Sequence, residues 1–308
     1  MIPAYLLHAD WGSSPNKRWS AEASLRTDGR YSIRGPKPIE NHGSLLEAVR
    51  ERVGDKECAF VGFDFPIGIP EAYAQAVGVA NFKSFLKGLG AGEWADFYSV
   101  ARDALEINLR RPFYPHRPGN AKQAHLLKSL GVDNIDALRR RCEKRQPGRP
   151  AACSLFWTLG ANQVGKAAIV GWRDLLAPAL QYEGFSIWPF DGKLDQLFTE
   201  SRIVVCETYP AECYRWVFRE PLKGKGKLEV RKKAGDQLMQ WVNAAAIELE
   251  KNLVETIREG FPSGDDSFDA IIGLLGMIEI VMGRRPSGEP QDTGVKNIEG
   301  WILGQAFE

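Results

Sequence analysis

Five carboxylates stand where an acid is costly unless it has work to do. Asp10 closes the apolar run AYLLHAD, Asp64 closes CAFVGFD, and Glu207 stands at the end of RIVVCET. Asp266 and Asp269 are three apart in the opening turn of DDSFDAIIGLLGMIEIVMG, so on a helix they share one face. Lone acids that end or face apolar runs are unusual without a partner. Two carboxylates about 4 Å apart repel by roughly 4 kcal/mol at an effective dielectric of about 20. A bound divalent cation reverses that sign. Oxygen-only donors select Mg²⁺ or Mn²⁺ over zinc, and a pair of such ions can clamp the attacking water and the leaving oxygen in phosphodiester cleavage. The expected metal ligands are Asp10, Asp64, Asp266 and Asp269. Asp265 reads as a helix cap. Glu207, followed by TYPAE, reads either as a further catalytic acid or as a buried acid paired with an arginine. No cysteine or histidine lies in a nucleophile motif, so no covalent protein intermediate is expected.

The 40 Lys and Arg nearly balance 39 Asp and Glu, but unevenly. Residues 109–149 hold 11 basic and 3 acidic residues, and REPLKGKGKLEVRKK (Arg219 to Lys233) holds 7 and 2. A single such run is usually solvated surface; two in a nearly neutral chain point to a polyanion, DNA or RNA. The expected phosphate contacts are Arg139, Arg140, Arg141 and Lys225, with Lys166 and Ser13.

The elements that must position these groups are legible in outline. RWSAEASLRTDGRYSIRG is two alternating runs around Asp28-Gly29, a hairpin signal. GSLLEAVRERVG spaces Leu45, Leu46, Val49 and Val53 as on a helix, with Ser44 as N-cap and Gly54 beyond its end. CAFVGFD suits a strand buried on both faces. In GFDFPIGIP, Pro66 keeps Phe65 extended and stops further pairing, so the chain is stiff beside Asp64. Residues 71–200 are mostly helical in pattern and too long for a loop. DQLMQWVNAAAIELEKNLVETIREG reads as one long amphipathic helix.

No run approaches the about 18 apolar residues of a membrane span. MIPAYLLHAD has no basic leader region. Five scattered cysteines without a CxxC read as reduced thiols of a cytoplasmic protein, and the four histidines lack zinc spacing.

HADWGS, GFDFPIGIP, VVCETYPAECY and DDSFDAIIGL resemble the four motifs of a domain-of-unknown-function family of predicted RNase H-like nucleases, within the ribonuclease-H-like superfamily. The resemblance covers the first 75 residues and roughly 202–283. It implies an α/β fold whose mixed sheet runs in the order 3-2-1-4-5, its first three strands antiparallel, with helices on its faces. The core would be 1–70 and 201–308, with 71–200 as a helical insertion or cap between strands four and five. The superfamily's first-strand aspartate maps to Asp10, its fourth-strand acid to Asp64, and its late-helix acids to Asp266 and Asp269. Glu207 matches the narrower family and not the common nuclease set.

Two motifs point elsewhere. DWGSSPNK (Asp10 to Lys17) resembles the first phosphate loop of actin- and sugar-kinase-like ATPases, in which the amides around Gly12 and Ser13 would cradle phosphate. The second glycine-rich loop of those phosphotransferases has no counterpart here. GANQVGKA falls short of a nucleotide loop because Ala167 lacks the Mg²⁺-binding hydroxyl. A catalytically silent nucleic-acid-binding module is the third alternative.

Overall fold

The computed structural model describes residues 1–146, 149–160, 164–218, 222–245 and 247–306. Its centre is one mixed sheet of β1 (Tyr5–Trp11), β2 (Arg18–Leu25), β3 (Tyr31–Pro38), β4 (Ala59–Phe63), β5 (Phe185–Ile187), β6 (Ile203–Glu207) and β7 (Glu248–Leu249). The spatial order is β5-β6-β4-β1-β2-β3-β7. β1, β2 and β3 are antiparallel neighbours, whereas β4, β6 and β5 continue from β1 in parallel. Helices α1 (Leu45–Val53), α2 (Glu71–Val77), α3 (Phe82–Gly88), α4 (Gln123–Leu130), α5 (Val164–Gly171), α6 (Ala177–Ala179), α7 (Leu194–Glu200), α8 (Pro210–Phe218), α9 (Leu228–Ala244), α10 (Lys251–Glu259) and α11 (Asp265–Val281) surround it.

The order differs in detail from the expected 3-2-1-4-5, because each edge carries one more short strand. Ser186 pairs with Val204, so the 71–200 region contributes a strand as well as helices. At the other edge Glu248 and Leu249 pair with Ser32 and Ile33. That pairing also corrects the single helix expected after Asp236. The chain ends α9 at Ala244, spends Glu248 and Leu249 on the sheet, and restarts as α10. Segments of two or three residues are too short to show a period.

β1 is buried along its whole length, and its alternation divides the core. Tyr5, Leu7, Ala9 and Trp11 join Val61, Phe63, Val205 and aromatic side chains of 71–200 such as Phe97, Phe113 and Trp172 on one face. Leu6, Phe60, Val204 and Cys206 join the apolar side of α11 on the other. The hairpin closes at Gly29, whose φ of 79° lies in the left-handed region that glycine adopts without steric cost. All five cysteines are free thiols. Among the described residues no helix is long and apolar enough to cross a membrane.

Candidate active site

Asp10 and Asp64 meet because of strand register. Ala9 and Phe63 form the last aligned pair of the parallel β1 and β4, and the Asp64 amide donates to the Ala9 carbonyl at 3.0 Å. Ala9 and Phe63 both face the cluster containing the 71–200 side chains. Successive side chains alternate, so Asp10 turns to the α11 face, and Asp64 reaches the same electrostatic field.

α11 supplies the other two aspartates. Asp266 lies in its first turn, where the helix dipole favours negative charge. Asp269 lies one turn on and is buried. The helix can sit low on the sheet because two glycines leave room. A β-carbon on Gly273 would stand 2.1 Å from His8 Nε2, and one on Gly62 would stand 2.6 Å from both Met277 Sδ and Thr208 Cγ2. His8 is fixed between the Ala270 carbonyl (3.0 Å from Nδ1) and Thr208 Oγ1 (2.9 Å from Nε2). Burial lowers His8 to about 4, so it is a neutral strut between β1 and α11.

The electrostatics record the crowding. Burial, followed by the charges of Asp64, Asp269 and Asp266, holds the Asp10 carboxyl well above the usual carboxylate range. Asp64 is pushed up to about 7, first by burial and then by Asp269. Asp266 is raised by burial and by Asp265, with Lys17 of the β1–β2 turn opposing. Asp269 is raised by burial despite two hydrogen bonds that favour its charged form. Those bonds come from the Tyr214 hydroxyl on α8 and the Lys225 ammonium just before α9. Burial alone would lower Lys225, but Asp269, Asp10 and Asp64 together raise it. Its Nζ also lies 5.6 Å from the centre of the Tyr214 ring. Lys225 is thus the internal cation of the cluster.

Among the described residues no three His, Cys, Asp or Glu side chains form a ready-made metal cage. The donor set nonetheless suits a hard cation: the coupled carboxylates offer only oxygen, and their field already holds an ammonium.

Glu207 belongs to the other face. It pairs with Phe63 in the β4–β6 register, one residue out of phase with Asp64. Arg140 donates to its two oxygens, both at 2.6 Å, and the Ile67 amide donates to Oε2 at 2.7 Å. Arg140 is fully buried and also bonds Glu143 Oε1 at 2.9 Å and the carbonyls of Ile67 (3.2 Å) and Glu299 (3.1 Å). Of the two readings of Glu207, the arginine pair is the one found. The expectation of Arg140 as a phosphate contact is corrected, because no external anion can reach it.

The remaining basic expectations divide similarly. Arg139 donates to the Ala152 carbonyl at 2.7 Å and pairs with Asp136. Arg141 pairs with Asp292 at 3.2 Å. Lys166 donates to the His116 carbonyl at 3.2 Å, within the 71–200 region. Ser13 offers its carbonyl to Arg18 at 2.9 Å, and the Gly12 amide is used within the turn by the Lys17 carbonyl, also at 2.9 Å. Residues 161–163 of GANQVGKA and 219–221 of the second basic run lie outside the described residues.

His8, Lys17 and Tyr214 were not singled out by sequence reasoning. Tyr214 had a signal: Pro210, Cys213, Tyr214, Val217 and Phe218 form the buried face of α8, and a buried tyrosine hydroxyl needs a polar partner. No family model, curated protein or solved structure matches this chain.

Proposed function

We propose that the protein is a metal-dependent nuclease of ribonuclease-H-like type, hydrolysing phosphodiester bonds of DNA or RNA in the cytoplasm. One observation carries this reading: Asp10, Asp64, Asp266 and Asp269 share one electrostatic field where β1 and β4 end beneath the start of α11. Mg²⁺ or Mn²⁺ held by these four aspartates would lower the pKa of a bound water and balance charge on the leaving oxygen. The chain's own contribution is placement. β1 and β4 fix Asp10 and Asp64 through their register, the Tyr214 hydroxyl orients Asp269, and Lys225 is the cation nearest to a phosphate entering the cluster. Glu207 acts at a distance in this reading, tying the chain after Asp64 to β6 through the Ile67 amide. The 71–200 region would serve as a cap on the opposite face.

The test is a cleavage screen over single- and double-stranded DNA and RNA with Mg²⁺ or Mn²⁺, alongside ATP hydrolysis. Wild type should cut at least one nucleic acid, and Asp10→Asn should lose at least about a thousandfold in rate, as expected when metal-assisted chemistry is removed. Mg-ATP hydrolysis that depends on Gly12 and Ser13, without cleavage, would replace this reading by the phosphotransferase. Nucleic-acid binding with neither activity would leave a binding module.

A further inference from the structure

A cavity of about 580 Å³ lies in the 71–200 region, lined by Arg102, Asp103, Tyr114, His116, Arg117, Asn120 and His125 among others. That volume falls within the range of small-molecule sites, roughly 300–1,000 Å³. Its floor is held by backbone bonds. The Ala101 amide donates to the Phe113 carbonyl at 2.7 Å, and the His116 amide donates to the Ala101 carbonyl at 2.8 Å. Arg102 and Arg117 follow Ala101 and His116 directly, and both line the cavity. Most arginines of the basic segment are paired; among the described residues Arg145, outside the cavity, is not. Arg110, Arg111, Arg139, Arg140, Arg141 and Arg149 each have a carboxylate partner. Among the described residues the guanidiniums of Arg102 and Arg117 have no ion-pair or hydrogen-bond partner. The one carboxylate in the cavity, Asp103, accepts from the Leu105 amide at 2.9 Å as a cap.

Two guanidiniums that line one cavity, neither held by a carboxylate and each with a fork of donors, suit a phosphate group. Beside them, His116 and His125 line the cavity with rings and Asn120 with an amide, groups on which a base or sugar can rest, while buried Tyr114 backs His125, its hydroxyl 3.2 Å from His125 Nδ1. We infer that this cavity binds a nucleotide phosphate, at a site separate from the carboxylate cluster and assembled wholly within residues 102–125. The inference does not depend on the hydrolytic reading, since a silent module would use the same cavity.

The source of the phosphate is either a nucleic-acid strand or a free nucleotide, and the experiment separates them. Binding of a fluorescent single-stranded oligonucleotide is followed by anisotropy over a range of salt, and binding of AMP and inorganic phosphate by calorimetry. The proteins are wild type, Arg102→Ala/Arg117→Ala, Lys128→Ala as a surface control, and Asp10→Asn. The double variant should bind oligonucleotide at least about tenfold more weakly, and its log–log salt slope should fall by about 1.4, the value for two lost phosphate contacts on a single strand. Lys128→Ala should bind as wild type, and the loss in the double variant should recur in the Asp10→Asn background, where the probe stays uncut. Loss of AMP binding in the double variant would assign the cavity to a free nucleotide, and loss confined to the oligonucleotide would assign it to a strand. A folded double variant, its melting temperature unchanged, that binds all three probes like wild type would overturn the inference. So would a loss matched by Lys128→Ala, since the effect would then be general surface charge.

Discussion

The Lys225 ammonium rests on the Asp269 carboxylate, inside the field of Asp10 and Asp64. It stands where a positive charge is most needed and therefore opposes any other cation that enters. A unit charge about 5 Å from a divalent ion repels it by several kcal/mol even at an effective dielectric of about 20. Lys225→Met should accordingly bind Mn²⁺ at least about tenfold more tightly than wild type in a calorimetric titration. The metal-free variant should melt lower at pH 8, where Asp269 has lost its charged partner. Unchanged Mn²⁺ affinity would place the ion outside the reach of Lys225.

The carboxylates predict an unusual dependence on pH. Asp64 is raised to about 7 in the folded protein by burial and by Asp269. The folded state therefore keeps a proton that the unfolded chain releases near pH 4, and stability falls as pH rises through that window. Asp64→Asn cannot ionise. It should melt above wild type at about pH 8, and the gain should vanish near pH 4, where both side chains are neutral. Saturating Mg²⁺ should shrink the gain, since it stabilises the charged cluster. A gain of equal size at both pH values would show that charge is not its origin.

The central strands β1, β4 and β6 were legible because each carried its own apolar run, and Asp10 and Asp64 stand at the ends of two of them. The hairpin was legible from Asp28-Gly29, and α11 from its continuous apolar face. The choice between the two readings of Glu207 was a matter of phase. End-of-strand position does not say which face a side chain takes, and only the pairing of Glu207 with Phe63 decides it. Basic runs are incomplete for a related reason: composition counts charges without their partners, and six of the arginines between 109 and 149 are bound to carboxylates, of which Arg140 is fully buried. β5 and β7 were invisible because two or three residues carry no period.

Arg140 and Glu207 test the boundary between structure and chemistry. Both are buried, and each satisfies the other. Arg140→Met should cost about 3–5 kcal/mol, because it strands a buried carboxylate, while replacing both partners by apolar side chains should cost less. Denaturant unfolding of Arg140→Met, Glu207→Leu and the double variant measures this. The double variant should be more stable than Arg140→Met. If Glu207→Gln instead kept full stability and lost cleavage, Glu207 would have to act on the reacting atoms.

Gly273 shows whether proximity alone is enough to disable the site. Gly273→Ala leaves every carboxylate, Lys225 and Tyr214 unchanged. Its new β-carbon would stand 2.1 Å from His8 Nε2, and His8 is held from both sides by Ala270 and Thr208. The ring has nowhere to turn, so α11 must lift from β1 and carry Asp266 and Asp269 with it. Overpacking of this kind typically costs about 1–3 kcal/mol, and a shift of about 1 Å in a reacting group can cost about a hundredfold in rate. The expected outcome is a moderately destabilised, folded protein with cleavage reduced by about that factor. His8→Ala removes the obstructing ring, so in that background Gly273→Ala should be nearly neutral. A double-mutant cycle on stability and on cleavage rate should thus give a coupling of at least about 1 kcal/mol between the two positions. Additive effects would mean that α11 does not rest on His8, and that the low seat of the helix has another cause.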